Sequence, residues 1–327
     1  MNMIKTVLLL FFSLLISCTT SAYSFGEYFD TPNDILTFSV DDVPTVQLDI
    51  VQGDLSIMVN PDANEVKIEI FVRRGVRILS GDRADEYRQS SRQRGNNISF
   101  QSYPARGGSS RGDVRVHYKV SVPQETNLEI SMTNGSVTNE SVNGNHRYSL
   151  TSGNISINSV RGQSQLMLTA ANLSVNSFDG ELMGNVNGGN IKINSFRGES
   201  RILLNGGLID ISDLRGSALA EVRGGSIQAQ ITEITDAIVF TVQAGSIDLR
   251  LPGHLKADLS VKSRRIEIGR GNDWITGVDQ RSEDALYNLR DIVSGQIGTE
   301  EMSLKLNGGG KPLQAHANMG TVKVRFD

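Results

Sequence analysis

Cysteine is almost missing from this 327-residue chain: Cys18 stands alone, so an intramolecular disulfide and any multi-cysteine metal site are excluded. Stability must come from burial and hydrogen bonding. Proline is scarce at 7 residues and aromatics supply only 6% of the chain, while glycine reaches 33. That balance argues against a disordered Pro-rich tether and for many tight, ordered turns, hence an all-β fold. Beyond the first residues no stretch approaches the ~18 consecutive apolar residues that a membrane-spanning helix requires. The formal net charge is only -4, and no nucleic-acid partner is expected.

What is present begins with an export signal. Met1 to Lys5 form a short positive region, and Val7 to Ser17 an apolar run too short to remain as a transmembrane helix. Leu15-Ile16-Ser17-Cys18 matches the bacterial lipobox, which predicts a signal peptide over 1–17, lipidation of Cys18 and a tether over 18–45. Thr19, rather than Asp, after the cysteine favours outer-membrane sorting. Cleavage after Thr20-Ser21-Ala22 is the alternative, and would leave a soluble periplasmic or secreted protein.

Internal periodicity organises the rest. Gly135, Gly153, Gly189, Gly207 and Gly225 fall in one register at multiples of 18 residues, with Ala171 in the missing place; Gly144, Gly162, Gly180, Gly198 and Gly216 form a second register nine residues away. Each is followed by an apolar alternation: Val137, Ile155, Leu173, Ile191, Ile209 and Ile227 after the first, and Leu150, Leu168, Val186, Leu204 and Val222 after the second. Val142, Val160, Phe178, Phe196 and Leu214 precede the second glycine. The pattern predicts a single-chain β-solenoid, β-helix-like, with 18–20-residue coils and two short strands per coil, occupying 46–327. Units at Gly53 and Gly320 extend it and are expected to cap its ends. Stacked polar columns, Asn154, Asn172, Asn190 and Asn158, Asn176, Asn194, read as amide ladders rather than as a ligand comb.

Two excursions interrupt the array. Residues 73–115 hold ten arginines against Asp82, Asp85, Glu86 and Asp113, a local balance of +6. Arg88, Arg92 and Arg94 are the candidate contacts to an anionic partner, an envelope polymer or lipid headgroups. Residues 270–300 carry the only tryptophan, Trp274, and a stretch with helical character from Ser282 to Val293. Within the array, outward Met167, Met183, Leu203 and Leu219 form a candidate apolar patch for an envelope protein.

The Gly-(Ser/Asn/Asp)-(Ile/Val/Leu)-x-(Ile/Val) units at Gly53, Gly153, Gly189 and Gly245, with Asn307-Gly308-Gly309-Gly310 and Gly320-Thr321-Val322-Lys323-Val324, resemble the bacterial "putative adhesin", Toastrack-like domain-of-unknown-function family of cell-envelope proteins. The resemblance spans nearly everything after the signal. It implies a β-solenoid in an envelope setting and supplies no catalytic residues.

Signals for chemistry are sparse, and neither cofactor nor metal is expected. His117, His146, His254 and His316 lack metal-ligand spacing, and His146 reads as a replacement within a core column rather than a general base. The glycine pairs do not continue into the carboxylate repeats of calcium β-rolls. A hexapeptide acyltransferase needs an aliphatic residue every six, a rule broken at Asn172, Gly184 and Asn190. The outward column Ser156, Ser174, Lys192, Asp210, Gln228 offers Lys192 and Asp210 as adjacent-rung neighbours, read as a surface ion pair. Arg111-Gly112-Asp113 is a tripeptide with a high chance rate. The leading expectation is a non-enzymatic envelope binding or display module. The alternatives are a right-handed β-helix enzyme acting on polysaccharide and a scaffold or regulatory subunit of an envelope complex.

Overall fold

The computed structural model describes residues 31–60, 62, 64–74, 87–104, 114–270, 273–276, 293–297 and 300–327. Cys18, the export signal and the Arg-Gly-Asp tripeptide lie outside them. Pro32–Asp327 is one compact unit. Among the described residues every regular element is a strand: β1 (Asp34–Ser39), β2 (Thr45–Val59), β3 (Glu65–Arg74), β4 (Tyr87–Arg94), β5 (Asn97–Pro104), β6 (Val114–Val122), β7 (Asn127–Asn139), β8 (Gly144–Val186), β9 (Gly189–Leu251), β10 (Ala257–Arg270), β11 (Asp273–Thr276), β12 (Val293–Ile297), β13 (Glu301–Leu306) and β14 (Lys311–Phe326).

β8 and β9, at 43 and 63 residues, each wind through several coils without losing strand pairing. A coil has two sides joined at glycine corners: a first side such as 145–152, the Gly153 corner, a second side such as 154–161, then the Gly162 corner. Parallel registers repeat at the 18-residue step, with Val137 opposite Ile155 and Leu173 opposite Ile191. Every second residue therefore points inward, and the expected columns are buried throughout, including Ile191, Ile209 and Ile227 at 0% exposure. At the far edge of that core Phe178 and Phe196 stack face to face, 5.5 Å between centroids. No coil could bury these faces alone.

The corners explain the glycines. Gly153 has φ +133, and a Cβ added there would lie 1.8 Å from the carbonyl oxygen of Gly135 on the rung below. Neither the backbone angle nor the space admits a side chain. The asparagine columns are ladders, as expected: Asn172 Nδ2 donates to Asn154 Oδ1 at 3.1 Å, and Asn194 Nδ2 to Asn176 Oδ1 at 3.2 Å.

The rung order departs from chain order. The path runs β2-β7-β8-β9-β14-β10, so the C-terminal strand β14 lies between β9 and β10, parallel to both. Val322 faces Ile247 on one side and Ile266 on the other. The Gly320 unit is thus interior, correcting its expected role as a cap. The Gly53 unit is likewise covered: Thr45–Ile50 of β2 pairs with β5, and Asp54–Val59 with β6. The ends are closed by further strands, hairpin β4–β5 and the β1-β3-β6 group at one end, β12–β13 and β11 at the other. Residues 87–104, within the first excursion, are a paired hairpin. Val293 starts strand β12, and the rest of the stretch read as helical lies outside the described residues.

Candidate functional site

Both candidate contact sets fall on one outward face, that of the first side. Antiparallel partners share a face, so Arg92 opposite Ser99 and Arg94 opposite Asn97 place these arginines with the outward residues of β5. The register then continues from Ser99 to Gln47, from Gln47 to Glu129, and from Glu129 to Arg147. Arg88 joins them opposite Tyr103, itself 43% exposed. All three arginines are exposed, and none forms an ion pair among the described residues. β4 is also the outermost strand of this side, where charge blocks edge-to-edge pairing.

Further along the same face lie Met167, Met183, Leu203 and Leu219, 37–44% exposed. The patch they make is not continuous. Met183 faces Arg201 and Leu203 faces Asn185, so apolar and polar side chains alternate across two columns and the four residues trace a zigzag. Arg147 lies beside Met167, its Nη2 3.9 Å from the sulfur.

The histidines stay apart, and among the described residues no cluster of three metal-ligating side chains occurs. His146 is buried in its core column beside Tyr148, whose hydroxyl is 3.4 Å from His146 Nδ1 and accepts a 2.9 Å hydrogen bond from Asn139. Burial drives the imidazole down to about 4, against the opposing pull of the Thr126 and Asn143 backbone and of Glu125. At the cap, Tyr118 sits under Gly53 and shares a 2.6 Å hydrogen bond with Ser102, while burial pushes its phenol up to about 12. Both are built as core groups.

Lys192 and Asp210 occupy adjacent rungs, yet no ion pair joins them, a correction to the sequence reading. Sequence reasoning also missed Asp213 at the second corner, which accepts hydrogen bonds from Thr232 at 2.7 Å, Arg215 at 3.1 Å and Ser195 at 3.5 Å. Partial burial raises its carboxyl, but these donors outweigh that and hold it below the usual carboxylate value. Missed as well was a depression on the outward face of the second side, around Asp210, Gln228 and Asp248. The 18-residue period foretells which residues share a column, not whether their side chains leave space.

The family model described as Toastrack DUF4097 matches residues 80–274. The matched region is shorter than the resemblance implied. No curated protein matches the chain. Among solved structures, a "putative adhesin" from Bacteroides fragilis aligns at 11% identity over 90% of this chain and 98% of its own, with a TM-score of 0.37. A "putative adhesin" from Parabacteroides distasonis aligns at 10% identity over 91% and 98%, TM-score 0.30. A "putative cell adhesion protein" from Clostridium sporogenes aligns at 9% identity over 91% and 100%, TM-score 0.22.

Proposed function

From its place in the Toastrack DUF4097 family, to which this chain belongs, we infer a non-enzymatic binding and display module of the bacterial cell envelope. The observation that carries the reading is the shared face. One continuous register runs from Arg92 through Ser99, Gln47 and Glu129 to Arg147, and the Met/Leu zigzag continues along it. At roughly 4.8 Å per rung, the arginine hairpin and Leu219 are separated by about 40 Å of rigid strand. A surface of that length engages an extended partner through many weak contacts with no loop to order. The basic end selects for negative charge, in an anionic envelope polymer or in lipid headgroups. Lipidation at Cys18 would hold the module at the outer membrane; the tether expected over 18–45 is shortened to the residues before β1, because Asp34–Ser39 is a strand paired with β3 and Val40 is buried in the core.

The test neutralises the basic end. Arg88, Arg92 and Arg94 replaced together by Gln should weaken cosedimentation with phosphatidylglycerol vesicles, most strongly at low salt, where the Debye length exceeds ~10 Å. Wild-type protein that sediments no better with anionic than with neutral vesicles at any ionic strength would defeat the assignment.

A further inference from the structure

The outward face of the second side changes character along the solenoid. Over the regular coils its outer column is Asn158, Asn176 and Asn194, whose amides bond to one another and are spent on that ladder. Beyond Asn194 the ladder stops. Ser212, Gln230 and Arg250 continue the column, and beside them run Asp210, Gln228 and Asp248. One coil further on the corner spacing changes as well, from 18 residues, Gly207 to Gly225, to 20 residues, Gly225 to Gly245. A depression of about 310 Å³ opens there, lined by those six side chains.

What distinguishes the depression is that its polar groups are unused. Asp210, Ser212, Gln228, Gln230 and Arg250 make no side-chain hydrogen bond or ion pair to any other described residue. Asp248 is engaged at one oxygen only: Arg325 donates to Oδ2 at 3.0 Å, while the buried Oδ1 accepts nothing. Formal charge is balanced, since Arg325 offsets Asp248 and Arg250 offsets Asp210. A polyanion would meet two carboxylates and a polycation two guanidinium groups. The walls offer few apolar atoms for an aliphatic ligand. Alternating acceptors and donors at a strand spacing of ~4.8 Å match a ligand that itself carries both along its length.

We propose that this depression is a binding subsite for a neutral, hydroxyl-rich glycan, the carboxylate of Asp210 accepting from sugar hydroxyls while Gln228, Gln230 and Arg250 donate to them. The site lies on the opposite face from the arginine hairpin and is independent of it. With no aromatic ring against which a sugar could stack, each subsite is weak, and a polymer lying along the rungs gains through repetition.

Affinity gel electrophoresis of the purified full chain, kept in detergent, tests this against neutral glucan, mannan and galactan, with polygalacturonate as the acidic comparator. A neutral polymer should retard the wild type. Gln228→Ala and Arg250→Ala, each checked for an unchanged melting temperature, should weaken retardation about tenfold, the equivalent of one or two lost hydrogen bonds. Absence of retardation by every neutral polymer, retardation by the acidic one alone, or variants retarded as strongly as wild type would each overturn the proposal.

Discussion

Replacing Gly207 by alanine tests the corner chemistry against a built-in control. At Gly207 φ is +133 and the new Cβ would fall 1.9 Å from the carbonyl oxygen of Gly189. The backbone angle alone costs about 1–3 kcal/mol. Relieving the contact means lifting one rung from the next, and weakening two ladder hydrogen bonds at ~0.5–1.5 kcal/mol each brings the total to roughly 2–6 kcal/mol. For a chain of this size that is a fall in Tm of about 4–24 °C. Gly95, in the turn between β4 and β5, also has positive φ, +57, but an added Cβ there meets nothing within 4 Å. Gly95→Ala should therefore cost only the left-handed backbone penalty, about 1–2 kcal/mol. Ala171 shows the other solution: it holds a corner place without positive φ, and on the rung above it strand pairing is interrupted at Asn187 and Gly188. Circular dichroism melts of both variants decide the matter. A Gly207→Ala protein melting within about 2 °C of wild type, or no lower than Gly95→Ala, would refute the steric account.

Further outcomes follow from the same geometry. Ile191→Asp and Ile209→Asp each put an unpaired charge at 0% exposure and should cost several kcal/mol; melts lowered by less than a few degrees would contradict the register. His146, held neutral down to about pH 4 in the fold but titrating near 6.5 when unfolded, keeps its full contribution above pH 6.5 and loses it as pH falls from 6.5 toward 4, because the unfolded chain takes the proton first. Urea unfolding at pH 7 and pH 4.5 should show a loss on the order of 3 kcal/mol that His146→Leu abolishes; an equal pH slope in the variant would place the titration elsewhere. Cys18→Ser should prevent incorporation of a palmitate analogue and release the protein from membranes, and a variant still cleaved and membrane-bound would exclude the anchor.

Much of the solenoid was legible because burial and backbone sterics act at fixed spacing. Each apolar column from Val137 to Ile227 lies inside, since a period-two alternation locked to an 18-residue repeat has only one register that buries it. The candidate contacts were legible as residues but not as a surface. The pairing of Arg92 opposite Ser99 is local, made across the Gly95-Asn96 turn, but nothing within residues 73–115 states that Ser99 will pair with Gln47, because that pairing depends on a β2–β5 contact between separate segments. The Met and Leu positions were found, while their alternation with Arg201 and Asn185 needed the rungs stacked.

Rung order is the deepest of the omissions, and it has a physical signature. A repeat says which residues share a column; it does not say in which order coils are stacked. β14 lies between β9 and β10 although β10 precedes it in the chain. The corners account for the choice. Gly320 and Gly245 are both glycines, and a Cβ on Gly320 would lie 1.6 Å from the Gly245 carbonyl oxygen, so a coil stacked there must carry glycine at its corner. β10 has Ser263, Arg264 and Arg265 at the corresponding point, and its register slips between Ser263 and Arg265, with Ser263 Oγ donating to the Gly320 carbonyl at 3.0 Å. An interior corner without glycine is met once in this register, at Ala171, where strand pairing on the next rung is interrupted at Asn187 and Gly188. At β10 the missing glycine is accommodated by a bulge, and no further full coil stacks on it. The other end is similar, since β6, which covers Gly53 with Tyr118, contains no glycine. A corner without glycine therefore loosens the pairing beside it, and such corners are tolerated most readily where the run of full coils ends.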